Sequence, residues 1–190
     1  MSELNVSQVL EANRGFIAHV EEESGQNVNK CYQCVKCSGG CPLAFYMDFP
    51  PSLIMRMLQN GMKDEVLNSR TIWTCASCST CTTRCPRNID VAKVMDTLRI
   101  MARRKGITEQ GKFANTFNNL FLFTVKNFGR LYEAGLLGGM NMKTGRPLNS
   151  FEFVFPMLTR GKVKFLPHTI KGTGEMKRIF ANVQRMEAEK

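Results

Sequence analysis

The sequence predicts a mostly α-helical fold, and three observations predict it. Apolar residues recur at three- and four-residue spacing along several stretches. The residues between Cys41 and Cys75 show no alternation of a half-buried strand. All eight cysteines fall into two copies of one run, separated by a stretch of helical character. The runs are Cys31-x-x-Cys34-x-x-Cys37-x-x-x-Cys41-Pro42 and Cys75-x-x-Cys78-x-x-Cys81-x-x-x-Cys85-Pro86.

This spacing is the one used by bacterial two-cluster ferredoxins, in which the fourth cysteine of each run ligates the other cluster. Two residues between cysteines let one tight loop set three sulfurs on three corners of a [4Fe–4S] cube. The fourth corner is reached from elsewhere, by a cysteine whose following proline has a fixed φ and no N–H. The expected ligands are therefore Cys31, Cys34, Cys37 and Cys85 for a first cluster, and Cys75, Cys78, Cys81 and Cys41 for a second. Structural zinc favours two separated cysteine or histidine pairs, which three cysteines so closely packed fit poorly. A disulfide framework belongs to small exported domains.

The elements follow in order. Val6, Val9, Leu10, Phe16, Ile17 and Val20 predict a helix over Val6 to Glu23, with Gly25 ending it. After the first cysteine loop, Pro50-Pro51-Ser52 reads as a helix start, with Leu53, Ile54, Met57 and Leu58 on one side and Gly61 as the stop. A short helix over Lys63 to Asn68 leads to Trp73 and the second loop. Beyond Pro86, Asp90 is placed to cap a helix striped by Val91, Val94, Met95, Leu98 and Met101. Arg103, Arg104 and Lys105 complement its C-terminal dipole, and Gly106 ends it. Thr108 opens a further helix carrying Phe113, Phe117, Leu120, Phe121 and Val125. From Gly135 onward glycines and prolines interrupt the chain. Between them lie Phe151-Glu152-Phe153-Val154-Phe155, Met157 and Leu158, and a last helix over Glu175 to Glu187 has Met176, Ile179, Phe180 and Val183 on one face. The helical stretch between the runs, from Cys41 to Cys75, leaves no place for a small β-rich ferredoxin. The expected architecture is a helical ferredoxin with two [4Fe–4S] cluster loops and an irregular C-terminal extension. Its divisions are an N-terminal helix (1–29), a two-cluster core (30–106), a helical segment (107–139) and an extension (140–190) that either packs on the core or docks a partner.

Composition bounds the class. The 190 residues are 43% hydrophobic, which is ordinary for a globular protein. No apolar h-region opens the chain, and no apolar run approaches the ~18 residues of a membrane span. A soluble, cytoplasmic protein is expected. The net charge of +10 is uneven, with −1 over residues 1–85 and +11 over residues 86–190. Each oxidised cube with its four thiolates carries about −2, so the loaded chain sits near +6 by rough account. A basic excess suits nucleic acid, an anionic membrane or an acidic partner. Nucleic-acid binding around structural clusters is the alternative of a different class, and two mutually stapled clusters argue instead for conduction.

Trp73, two residues before Cys75, is expected to shield a cluster from water. Arg84 and Arg87 flank Cys85-Pro86, and two readings stand for them: cations that tune the potential of a nearby cluster, or plain solvated surface charges. His19 and His168 stand alone and are not expected to bind metal, and Glu21-Glu22-Glu23 reads as a solvated helix end. No phosphate-binding glycine loop, flavin fingerprint or catalytic triad spacing is present, so no catalytic residue is expected.

The segments Cys31-Tyr32-Gln33-Cys34 through Cys41-Pro42, and Ile72-Trp73-x-Cys75 through Arg84-Cys85-Pro86-Arg87-x-Ile89-Asp90, resemble the iron–sulfur C subunit of heterodisulfide reductase and of heterodisulfide-reductase-like complexes. The resemblance runs from about Lys30 to Gly106. It implies a non-catalytic electron-relay component of a hetero-oligomer. Such a component passes electrons between a flavoprotein resembling the family's A subunit and a cysteine-rich, disulfide-active protein resembling its B subunit. Residues Met140 to Lys190 depart from the methanogen pattern, which favours a bacterial complex linked to sulfur metabolism. Two related readings are an iron–sulfur subunit of a quinone-linked dehydrogenase or reductase, and a free-standing ferredoxin.

Overall fold

A computed structural model describes residues 11, 13–145, 156–157 and 167–188. Every regular element among them is helical. The chain divides into two compact units, Met1–Gly111 and Lys112–Lys190.

In the first unit, α1 (Arg14–Ser24) buries Phe16, Ile17 and Val20 and ends on Gly25 at φ 62°, the left-handed cap that glycine adopts at little cost. The expected start of this helix at Val6, with Val9 and Leu10, lies outside the described residues. The first cysteine run ends in the short helix α2 (Lys36–Gly39). Next come α3 (Pro51–Gln59), α4 (Lys63–Leu67) and α5 (Thr71–Thr74). The second run ends in α6 (Thr80–Thr83), and α7 (Val91–Arg104) follows.

Helix α7 is the spine of this unit, with α1, α4, α5 and α6 all packed on it. It follows the sequence closely. Asp90 accepts a hydrogen bond from the Lys93 N–H at 3.1 Å, and Val91, Val94, Met95, Leu98 and Met101 are buried. Helix α3 differs in one position. Ile54, Met57 and Leu58 enter the core as expected, but Leu53 is 40% exposed and Met55 is buried in its stead. At about 100° per residue the buried arc runs from Met57 through Ile54 and Leu58 to Met55, and Leu53 falls just outside it.

The core joins residues distant in sequence: Phe16 and Val20 from α1, Val28, Ile54 and Leu58, Val66 and Leu67, Ile72, and the α7 stripe. Cys31, Cys75, Cys81 and Cys85 pack against its edge. The cysteine loops thus sit on a continuous apolar floor, and α2 and α6 pack on each other. Ser38 fixes the first loop to α3, accepting from the Ser52 N–H at 2.8 Å and donating to the Ser52 hydroxyl at 2.7 Å.

In the second unit, α8 (Lys112–Phe128) packs with α9 (Glu133–Lys143) and α10 (Thr173–Ala188). The break expected from Gly135 onward does not occur there, because α9 runs through Gly135, Gly138 and Gly139. A Cβ on Gly139 would sit 3.1 Å from Leu120 Cδ2, so the missing side chain lets α9 approach α8 closely. The aromatic segment 151–155 and Leu158 lie outside the described residues. On α10, Met176 and Phe180 are half-buried while Ile179, Val183 and Met186 are exposed.

Candidate metal centre

The two cysteine runs take the same backbone path. In each, the residues either side of the second cysteine have positive φ: Gln33 (62°) and Val35 (63°) about Cys34, Ser77 (50°) and Ser79 (59°) about Cys78. This double reversal turns three closely spaced sulfurs inward. A left-handed residue costs roughly 1–2 kcal/mol, and for the β-branched Val35 it is a marked outlier, so the loop stores strain that its ligation must repay. Both runs then enter a four-residue helix whose second residue is the third cysteine, Cys37 or Cys81.

The first cysteine of each run is anchored alike by a distant side chain. Gln59 Nε2 donates to the carbonyls of Val28 (3.1 Å) and Cys31 (2.8 Å). Arg99 donates through Nε to the carbonyl of Ile72 (2.8 Å) and through a terminal nitrogen to that of Cys75 (2.7 Å). Each anchor grips a cysteine carbonyl and the carbonyl three residues before it. One anchor is neutral and the other is a cation. Sequence reasoning misses both Gln59 and Arg99, because each clamps a segment far from it along the chain and no local pattern marks it.

It misses Asp48 as well. The Asp48 carboxylate accepts from the N–H groups of Arg70 (2.7 Å) and Thr71 (2.9 Å), from the Thr71 hydroxyl (2.6 Å) and from the Phe49 N–H (3.0 Å), which caps α5 just before the second loop. Burial pushes this carboxyl up, but the four hydrogen bonds together outweigh it and hold it below its usual range. Its stabilising contribution is therefore complete above the ordinary carboxylate range and is lost as pH falls through the depressed value. Asp48→Asn is expected to lower stability by about 1–2 kcal/mol at neutral pH, the scale of a lost helix cap. It should also flatten the acid limb of the stability curve. Denaturant titrations at pH 7 and at pH 3, the second below the ordinary carboxylate value, check this, and an equal loss at both values would show that the carboxylate charge is not involved.

A cavity with apolar walls opens beside the second loop. It is lined by Cys75, Cys78 and Cys81 together with Cys41 of the first run, and by Leu43, Ala92 and Met95 among others. Four cysteines around one apolar-walled space suit a cube, which spreads its thiolates over separate corners. Among the described residues no three metal-binding side chains converge as a single ion requires. In the first loop Cys31 and Cys34 lie close enough to Cys37 to act on its charge. Burial pushes the Cys37 and Cys75 thiols up and raises Cys81 to about 11. Thiolates form at such sites through coordination, which ties cluster assembly to folding of the loops. Cys78 is exposed, and its hydrogen bond with the Thr80 hydroxyl holds its thiol below the ordinary value. The Ile89 N–H donates to Cys85 Sγ and Gln33 Nε2 to Cys31 Sγ, each at 3.4 Å.

Arg84 and Arg87 both reach from the second loop to the first. Arg87 Nε donates to the Lys30 carbonyl at 3.3 Å, and the Arg84 stem lies over Gly40, where a Cβ would come 2.5 Å from Cδ. Trp73 does not line the cysteine cavity. Its ring lies over Gly111, which has no Cβ to obstruct it, at the edge of the core. His19 pairs with Glu23 at 3.6 Å.

Residues 27–89 match the family described as a 4Fe-4S dicluster domain. The chain carries that domain. It holds two [4Fe–4S] clusters. The chain is similar to the iron–sulfur C subunit of the CoB–CoM heterodisulfide reductase of Methanopyrus kandleri, at 42% identity over 86 residues, 45% of each chain. It is also similar to the corresponding C 2 subunit of Methanocaldococcus jannaschii, at 35% over 101 residues, 53% of this chain and 52% of that one. A protein of Archaeoglobus profundus, described as like the C subunit of heterodisulfide reductase, is 32% identical over 90 residues, 46% of this chain and 48% of that one. The chain thus spans about half the length of the curated relatives it matches. No helix among the described residues is long and apolar enough to cross a membrane.

Proposed function

We propose that this chain is the electron-relay component of a heterodisulfide reductase or heterodisulfide-reductase-like complex. In it, Cys31, Cys34, Cys37 and Cys85 hold one cluster and Cys75, Cys78, Cys81 and Cys41 hold the other. The observation that carries the reading is the single cavity lined by Cys41 with the three leading cysteines of the second run. Cross-ligation of this kind couples the two cubes through one chain, which suits passage of electrons from one to the next. When bound, the cubes supply one-electron steps. The chain's own residues set the loops' geometry through Gln59, Arg99 and Asp48, keep water from the buried sulfurs, and place charge beside them. Reduction of a disulfide takes two electrons and two protons. A donor resembling the family's flavin-bearing A subunit would feed the relay, and a cysteine-rich acceptor resembling its B subunit would be charged twice per turnover.

An electron relay needs durable interfaces, and both units offer apolar surface for them. Phe45 is 95% exposed in the turn that follows Cys41-Pro42, and Tyr32, Val35 and Tyr46 are also exposed near the first run. In the second unit Phe123, Ile179, Val183 and Met186 are exposed. We assign the second set to partner docking. A chain ending at Gly145 should still bind about eight irons as two cubes but no longer co-purify with its cysteine-rich partner from the native cell. Retained co-purification would place the interface on α8 or on the cluster loops, and Phe123→Ser or Phe45→Ser, respectively, would then disrupt it. Loss of the clusters on truncation would show that the extension belongs to the core.

A further inference from the structure

Away from the cysteines, a cleft of about 310 Å³ lies between the start of α1, the end of α7 and the start of α4. Its walls carry His19, Lys63, Arg104 and Lys105 over an apolar floor of Phe16 and Met101. The volume is within the lower range of small-molecule sites, about 300 Å³ and upward.

The basic residues at the end of α7 have an ordinary explanation, since Arg104 and Lys105 complement the negative end of that helix. Lys63 has none. It opens α4, where the helix dipole favours acids and opposes a cation, and it lines the same cleft as Lys105, close enough to act on its charge. Two ammonium groups have only protons to offer each other. Burial first, and then Lys63, push the Lys105 ammonium below its ordinary value, while Asp64 acts the other way. Glu23 answers Arg104 at 2.5 Å and His19 at 3.6 Å. The acids of the cleft thus serve Arg104, His19 and, in part, Lys105, and the Lys63–Lys105 repulsion is left standing.

We propose that this cleft binds a multivalent oxyanion, a phosphate-bearing small molecule whose charged group bridges Lys63 and Lys105 with Arg104 at its flank. A bridging anion turns the like-charge contact into two charge-assisted hydrogen bonds. The apolar floor favours a ligand with a flat or aliphatic body attached to its anionic group. Binding joins the ends of three helices and stabilises the first unit by mass action.

Inorganic pyrophosphate, titrated calorimetrically into the cluster-loaded full-length protein at moderate salt, is the probe. One saturable site is expected. Lys63→Ala and Lys105→Ala should each weaken binding about tenfold, Lys63→Glu should abolish it, and Arg178→Ala on α10 should leave it unchanged. Iron content and the thermal unfolding midpoint of each variant report folding. Should Lys105→Ala misfold, Lys105→Gln gives the same reading. Non-saturable binding, or equal weakening by Arg178→Ala, would mean that pyrophosphate senses only the chain's overall basicity and would overturn the proposal. So would binding of an oligoglutamate peptide where pyrophosphate does not bind, since the cleft would then hold an acidic protein segment. None of these outcomes bears on the clusters or their relay.

Discussion

Cys41→Ser should cost the chain the cluster of the distant second loop and spare much of the first. The reverse substitution, Cys85→Ser, should damage the cluster of Cys31, Cys34 and Cys37. The expectation rests on the cavity that Cys41 shares with Cys75, Cys78 and Cys81. In the other direction it rests on the matching backbone path of the two runs. Serine supplies a poorer iron ligand of almost the same size, so the loop can keep its path while one iron is released. Spectra of the anaerobically purified variants should show one cube converted to a three-iron form and total iron falling from about eight to between four and seven. Loss of the cube nearest the substituted residue in sequence would mean that each run holds its own cluster, and the cross-ligated assignment would fall.

Arg99→Gln should lower the reduction potential of the second cluster while leaving the first almost unmoved. Arg99 holds the carbonyls of Ile72 and Cys75, and its charge opposes the rise that burial imposes on the Cys75 thiol. A cation beside a cluster favours the reduced, more negative state. Its removal, worth about 1 kcal/mol, corresponds to a shift on the order of 40 mV for one electron. Glutamine is the residue that anchors the first loop at the equivalent carbonyls, so the variant tests charge with the anchoring chemistry retained. Arg99→Ala removes both hydrogen bonds as well and should cost roughly 2–4 kcal/mol, with slower cluster assembly on the second loop. A redox titration followed by EPR separates the two effects. Equal shifts of both clusters, or none in the Gln variant, would leave Arg99 a purely structural clamp.

These clamps mark where sequence reasoning stops. Helix α7 is legible because its cap, its stripe and its terminal glycine are all local, and local rules act within about a helical turn. Asp48, Gln59 and Arg99 act across long stretches of chain on backbone groups, which carry no residue identity to be matched. Leu53 is misplaced on α3 because an arc edge differs from its interior by one residue's rotation, and only the packed neighbours say where the edge falls. The glycines of α9 read as breakers, yet the helix runs through them and Gly139 allows close packing against Leu120. Glycine lowers a helix's intrinsic propensity by about 1 kcal/mol, which tertiary contact readily outweighs.

Taken by itself, the sequence determined the cofactor and the helical class. Ligand chemistry depends on which residues recur at which intervals, and eight cysteines in two matched runs leave little choice. Tertiary structure alone decided which side chains steady the loops, which sulfurs are buried, and which cations face one another. Those properties arise from the distance between groups that the chain brings together from far apart, and spacing along the chain does not encode distance across the fold.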